Sequence, residues 1–211
     1  MQGSKPAAIT AHVTELEMTS PPKQSLPVPV NIHTAILRVS DIPLPYYRFL
    51  YLRVGKRWNW AERLRMNDED LAAVLHDRRT TLTVLYVNGA PAGFFELQQR
   101  DGDVIDLTHF GLMEHALGLG LGKWFLLQTL FAAWAMDPRK VTVTTNSLDH
   151  PRALQLYQQF GFSPGRDAGG DRSTFERRRA AHLRQEALNG PLRQVSGVAS
   201  KRKGPFSSSK R

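Results

Sequence analysis

Residues Val104–Lys123 read VIDLTHFGLMEHALGLGLGK. The first half is β-rich and alternating, a strand through Leu112. Gly118, Gly120 and Gly122 then stand at alternate positions, and a long apolar helix follows from about Gly120 to Ala135. Such glycines expose a run of backbone N–H groups with no side chain to block approach. The helix start adds its own unpaired N–H groups and the positive end of its dipole, which together cradle phosphate. Glycines at a strand–helix junction also serve as turn residues alone, so the flanking chain has to decide.

Upstream lies a three-strand meander. Thr80–Val87 is β-rich, Asn88-Gly89 is a hairpin signal, Ala92–Gln99 pairs back, and Asp101-Gly102 turns the chain into Val104–Leu112. Before it, Pro43 and Pro45 open a helix through Val54. Trp58 and Trp60 fall in a connection, and Asn67 or Asp68 caps a second helix over Glu69–His76. Ile32–Val39 reads as a strand. Downstream, Asp137-Pro138 ends the long helix and Lys140–Thr145 is a strand. Asp149 and Pro151 open a helix through Gln159, Gly161 stops it, and a last strand or hairpin spans 162–177. A short polar helix is expected from about 179 to Leu188. The order predicts an α+β domain with a mixed, mostly antiparallel sheet and helices on both faces.

The expected organisation is an N-terminal extension over 1–30, a domain over 31–178 and a basic tail over 179–211. The extension begins with an unstructured 1–10, holds a short strand at His12–Met18, and then a linker with Pro21, Pro22, Pro27 and Pro29. The net charge of +9 belongs to the end of the chain: residues 172–211 hold eleven Lys or Arg against Glu176 and Glu186. That only weakly suggests a nucleic-acid partner, and a solvated tail that keeps the protein soluble is the preferred reading. The 211 residues include no cysteine, which excludes disulfides, thiolate metal sites and a cysteine nucleophile. No apolar run is long enough to span a membrane, and the N-terminus lacks the apolar core of a signal peptide. A cytoplasmic location is the default expectation.

A second stretch completes the reading. Asp149–Phe162 reads DHPRALQLYQQFGF, about thirty residues beyond the glycine run. Together the two segments resemble the acyl-CoA-binding half of the Gcn5-related N-acetyltransferases (GNAT). That family pairs Gln/Arg-x-x-Gly-x-Gly/Ala at a helix start with Asn-x-x-Ala-x-x-Leu-Tyr-x-x-x-Gly-Phe. Ala153, Leu156, Tyr157, Gly161 and Phe162 match the second motif, and the element order extends the resemblance over 31–177. The chain departs from the family at Leu117, where Gln/Arg stands, at Leu119, often basic, and at His150, in place of Asn. A Rossmann fold, the rival for the glycine run, is excluded by the hairpin meander before it.

The resemblance implies acetyl-CoA as acyl donor and direct acetyl transfer to a primary amine of a small molecule or protein. It places the pyrophosphate on Leu117, Gly118, Leu119, Gly120, Leu121, Gly122 and Lys123. It also implies a V-shaped splay between the fourth and fifth core strands, those carrying Val104–Leu112 and Lys140–Thr145. Backbone groups of Phe110, Gly111 and Leu112 then face the cofactor, with Asn146, His150 and Ala153 nearby. Tyr157 is the implied acid for the leaving thiolate. For the base, Asp106 stands at the family's glutamate offset and interrupts an apolar strand, which costs energy without a role or partner. Glu96 is the second candidate. Alternation sets Asp106 on one face with Thr108 and Phe110, and His109 on the other. Trp58 and Trp60 are the candidate acceptor wall. No metal constellation is visible among the histidines. The alternatives are an acyl-CoA binder with weak turnover, suggested by Leu117 and Leu119, and a nucleic-acid-associated protein acting through its tail. A homodimer is the one assembly entertained.

Overall fold

The structure, a computed structural model, describes residues 8–165 and the strand 174–178. Eight strands and five helices follow in the order β1 Ala8–Met18, β2 Thr34–Val39, α1 Leu44–Gly55, α2 Glu62–Arg65, α3 Asp68–Leu75, β3 Thr80–Val87, β4 Ala90–Arg100, β5 Val104–Leu112, α4 Leu121–Trp134, β6 Lys140–Asn146, α5 Ala153–Gln159, β7 Ser163–Pro164 and β8 Thr174–Arg178. The sheet runs β2-β3-β4-β5-β6-β1-β7, and β8 pairs with β1. Every pairing is antiparallel except β5 with β6. This is the expected α+β class.

β4 is an interior strand, and its alternation serves two cores. Phe94 points to a core that includes Tyr47, Leu50 and Tyr51 of α1 and Leu71 of α3. Phe95 and Leu97 point to the opposite core, filled by Phe125, Leu126 and Leu130 of α4 and by Val141 and Val143 of β6. A strand buried on both faces leaves no water-facing side for a charge. Yet Glu96 sits there fully buried, on the α1 face. Two helices begin as the sequence indicates. Asn67 accepts a hydrogen bond from the Asp70 N–H at 2.8 Å to cap α3, and Pro45 falls in the first turn of α1.

Two features of β5 shape everything at its C-terminal end. First, its parallel register with β6 stops at Leu107↔Val143. Beyond that point β5 continues along β4 as far as Gly93↔Leu112, while β6 continues along β1 to Val13↔Asn146. The two strands part, which is the expected splay. Second, a bulge falls at the same place. Leu97 pairs with Leu107 and Glu96 with His109, so Thr108 has no partner in β4. A bulge bends its strand and sharpens the local twist, which helps drive β5 away from β6.

The bulge overturns the alternation expected for this strand. Phe110 lies on the α4 face, 5.3 Å from the ring of Phe125. His109 joins Glu96 and Asp106 on the α1 face, packed on Tyr51 and Trp60. One extra residue between Leu107 and His109 resets the period of two.

Other expectations need correcting. The strand expected over His12–Met18 begins at Ala8, inside the stretch read as unstructured. It is also no appendage, because β1 lies between β6 and β7 in the sheet and buries Leu16 and Met18 in the main core. The helix expected from Asp149 starts regularly only at Ala153. The expected helix over 179–188 and the basic tail lie outside the described residues. No helix among those described is long and apolar enough to cross a membrane.

Candidate active site

The glycine run forms the turn that the sequence suggests. Gly118 and Gly120 have φ of 80° and 75°, and Gly120 is the N-cap of α4. L-residues pay for this left-handed conformation, so glycine is the natural occupant. A Cβ on either glycine would meet no atom within 4 Å. The space before these N–H groups is therefore open, as a phosphate cradle requires. Leu117 and Leu119 are partly exposed rather than packed, and Lys123 stands in the first turn of α4.

The splay opens a second row of backbone groups. The Met113 N–H donates across to Ala92 O on β4 at 2.8 Å. Alternation along an antiparallel pair then turns the N–H groups of Leu112 and Phe110 to the opposite side. That side is the one β6 has left. Gly111 fits between, since a Cβ there would lie 2.5 Å from Cγ1 of Val54 on α1.

One cleft of about 1560 Å³ joins these parts. Its lining runs from Leu117, Gly118, Gly120, Leu121, Gly122 and Lys123, past Phe110–Leu112, to Tyr51, Trp58, Trp60 and His109. Its other wall is β6 and α5, with Asn146, His150, Ala153 and Tyr157. Of the expected cofactor residues only Leu119 is outside the lining. The two tryptophans take different places. Trp60 stacks near Tyr51 and His109, at 5.3 and 5.1 Å between ring centres. Trp58 meets His150 at 5.1 Å across the cleft, so it bridges the α1–α2 connection to the α5 side.

Tyr157 is buried yet lines the cleft. Burial, and then the negative charge of Asp149, push its phenol well above the usual tyrosine range. The hydroxyl therefore stays protonated and keeps a hydrogen to donate. Asp149 itself closes the turn after β6, accepting from the Asn146 N–H at 2.9 Å and the Thr145 hydroxyl at 3.1 Å. It does not cap α5, whose N-cap is Arg152.

The two expected bases sit differently from what the sequence suggests. Asp106 accepts from Thr142 Oγ1 at 3.1 Å and Thr108 Oγ1 at 3.0 Å, and pairs with Arg100 at 3.3 Å. Its carboxylate does not line the cleft. The polar interruption of Ile105-Asp106-Leu107 thus has partners that tie three strand ends together. Glu96 has no exposed surface at all. Tyr47 donates to its Oε2 at 2.7 Å, Arg63 donates to its Oε1 at 2.8 Å, and His109 Nδ1 lies 3.1 Å from Oε2. Burial alone would raise its pKa, but His109, Arg63 and Tyr47 outweigh that and bring it down to about 2. Burial likewise opposes the charge on Arg63, and Glu96 more than restores it.

Sequence reading missed Arg63 and Tyr47 as partners of Glu96, and misplaced His109. A buried acid in a strand was the visible sign. Its partners come from three other elements and carry no local signature. Among the described residues no three acidic or histidine side chains gather as a metal site.

The comparisons with known proteins agree with this geometry. The profile of the Acetyltransferase (GNAT) family matches residues 38–162, and the chain belongs to that family. Acetyl-CoA is the acyl donor of the family, and the open glycine turn and freed β5 edge fit it. No curated protein sequence matches the chain. Among solved structures, a tandem GNAT protein from the clavulanic acid biosynthesis pathway superposes with a TM-score of 0.54 at 17% identity. The match covers 76% of this chain and 52% of that one. A protein from Novosphingobium aromaticivorans assigned to the GNAT family gives 0.51 at 15% identity, over 79% of this chain and 66% of that one. The ribosomal-protein-S18-alanine N-acetyltransferase of Escherichia coli gives 0.50 at 18%, over 62% and 78%. This chain spans less than two thirds of the length of the first two. At these identities the likeness establishes the fold alone.

Proposed function

We propose that this GNAT protein is an N-acetyltransferase that moves the acetyl group of acetyl-CoA directly to a primary amine of a small molecule or a protein. The observation that carries the reading is the continuous cleft. It runs from the glycine turn, along the free edge of β5, to the aromatic wall of Tyr51 and Trp60. A donor lying in it spans phosphate site, strand edge and acceptor wall in one line.

The donor supplies an activated thioester and a thiol leaving group. The N–H groups of residues 117–123 and the ammonium of Lys123 hold its phosphates. The N–H groups of Phe110 and Leu112 bond its amide-bearing arm as an added strand would, and polarise the thioester carbonyl where negative charge develops. Tyr157, kept protonated, gives its proton to the departing sulfur. Trp58 and Trp60 confine the acceptor.

A thermal-shift and thiol-release screen with acetyl-CoA against a panel of amines tests this. The expected result is a higher melting temperature with acetyl-CoA and thiol release that requires an amine. Stabilisation with no thiol release for any amine would favour the second reading, an acyl-CoA binder with weak turnover. The apolar Leu117 and Leu119 at the cradle favour that alternative, because two charge-assisted phosphate contacts worth about 1.5–3 kcal/mol each are missing. A chain ending at 178 should bind acetyl-CoA as the full chain does. Loss of binding with the tail would place the site elsewhere.

A further inference from the structure

The β5 bulge brings His109 to the acceptor end of the cleft, between the rings of Tyr51 and Trp60 at 5.1 Å each. Its Nδ1 faces the buried Glu96 carboxylate. The donors around Glu96, Tyr47 from α1 and Arg63 from α2, keep that group ionised. An ionised carboxylate can only accept hydrogen bonds. The neutral imidazole must therefore carry its hydrogen on Nδ1, which leaves the lone pair on Nε2. No protein group among the described residues hydrogen-bonds Nε2, and the ring lines the cleft. This is a base held in one tautomer by a carboxylate behind it, the same logic by which a buried acid orients a catalytic histidine in hydrolases.

We infer that His109, through Nε2, is the proton acceptor for the incoming amine, that Glu96 is its positioning residue, and that the acceptor is an alkylammonium. The inference rests on the acetyltransferase reading and deepens it. An alkylamine is protonated at neutral pH, with a pKa of about 10.4 for a lysine-like amine, and has no lone pair to attack with until it loses a proton. Aromatic faces beside the base suit that cation before it is deprotonated. The two carboxylates that the sequence offered as bases cannot take the proton as readily. Both oxygens of Asp106 are held by threonine hydroxyls, and Glu96 has no surface. Glu62 and Arg65 of α2 also border this end of the cleft, and Asp106 is paired to Arg100.

The protons balance. The ammonium gives one proton to Nε2, and its nitrogen bonds the acetyl carbon as the carbon–sulfur bond breaks. The sulfur takes a proton from Tyr157, the second proton shed by the nitrogen restores that phenol, and Nε2 gives its proton up to solvent. An alkylammonium and a thioester become an amide, a thiol and one proton released to solvent.

Two measurements test this. Nitrogen NMR of the free protein reads the tautomer directly: neutral His109 should carry its proton on Nδ1, and in Glu96→Gln this preference should weaken. A neutral ring protonated on Nε2 would overturn the inference. Steady-state kinetics of His109→Gln then separate a chemical role from packing. With an alkylamine near pH 7, kcat should fall about 100-fold or more, while acetyl-CoA affinity changes less than about threefold. With an arylamine or hydroxylamine, already neutral at that pH, the loss should shrink to within about threefold. In the variant, kcat/KM with alkylamines should follow the fraction of free amine alone, rising about tenfold per pH unit toward the amine's own pKa of about 10.4. Equal losses for both amine classes would make His109 a packing residue and sink the proposal. No loss with either class would sink it as well. If the wild-type protein stabilises with acetyl-CoA but acetylates arylamines alone, the acetyltransferase reading stands and this one falls. If it acetylates nothing, both fall.

Discussion

Tyr157 and Glu96 are both buried and both titratable, and their surroundings push them in opposite directions. The phenol of Tyr157 is raised by burial and by Asp149. Tyr157→Phe should lower kcat about 100-fold, with acetyl-CoA affinity nearly unchanged, by single-turnover rates and calorimetry. Unchanged turnover would remove Tyr157 as the acid. Glu96 is lowered from its ordinary 4.5 to about 2 because three donors surround it. A depressed folded-state pKa means stability that is present above about 4.5 and is lost as pH falls toward 2. Melting curves from pH 6 to 3 should show this loss in the wild-type protein, and the slope should flatten in Glu96→Gln. Near neutrality, Glu96→Ala leaves Arg63 charged and unpaired in the core and should cost about 3–5 kcal/mol in denaturant unfolding. The sequence showed that an acid interrupts a central strand. Its answer, a guanidinium from α2 and a phenol from α1, needs three segments far apart in sequence to meet.

At the scale of elements, the strand–turn–helix unit from β5 to α4 is legible in the sequence. Its signals are local: β-rich alternation, glycines at two positions of positive φ, and an apolar helix that follows. Gly120→Val tests the turn. A β-branched residue in the left-handed region should cost about 1–2 kcal/mol of stability. Its side chain would also occupy the open space before the cradle, so acetyl-CoA affinity should drop about tenfold or more by calorimetry. A stability loss with undiminished affinity would argue against a phosphate there. The β5 bulge was not legible. Nothing in Leu107-Thr108-His109 distinguishes a regular strand from a bulged one, because a bulge is a mismatch between two strands. That single mismatch exchanged the faces of His109 and Phe110, and with them the candidates for proton transfer.

At the scale of the whole molecule, β1 holds the far half of the sheet together. It pairs with β6 on one side and β7 on the other, and Leu16 and Met18 are buried in the main core. Removing residues 1–18 should therefore unfold the protein, seen as loss of a cooperative melting transition. A folded truncation would mean that β1 is dispensable to the core. Proline-rich sequence after Met18 suggested an extension separate from the domain, yet the strand pairs with β6 inside the sheet. The sequence by itself determined the fold class, the glycine turn before α4 and the acyl donor, because each rests on residues close in the chain or on motifs with set spacing. Tertiary structure alone decided which side chains face the acceptor, how Glu96 is satisfied, and that the N-terminal strand belongs to the core. Those depend on register and on contacts between distant segments, and a period of two in one strand fixes neither.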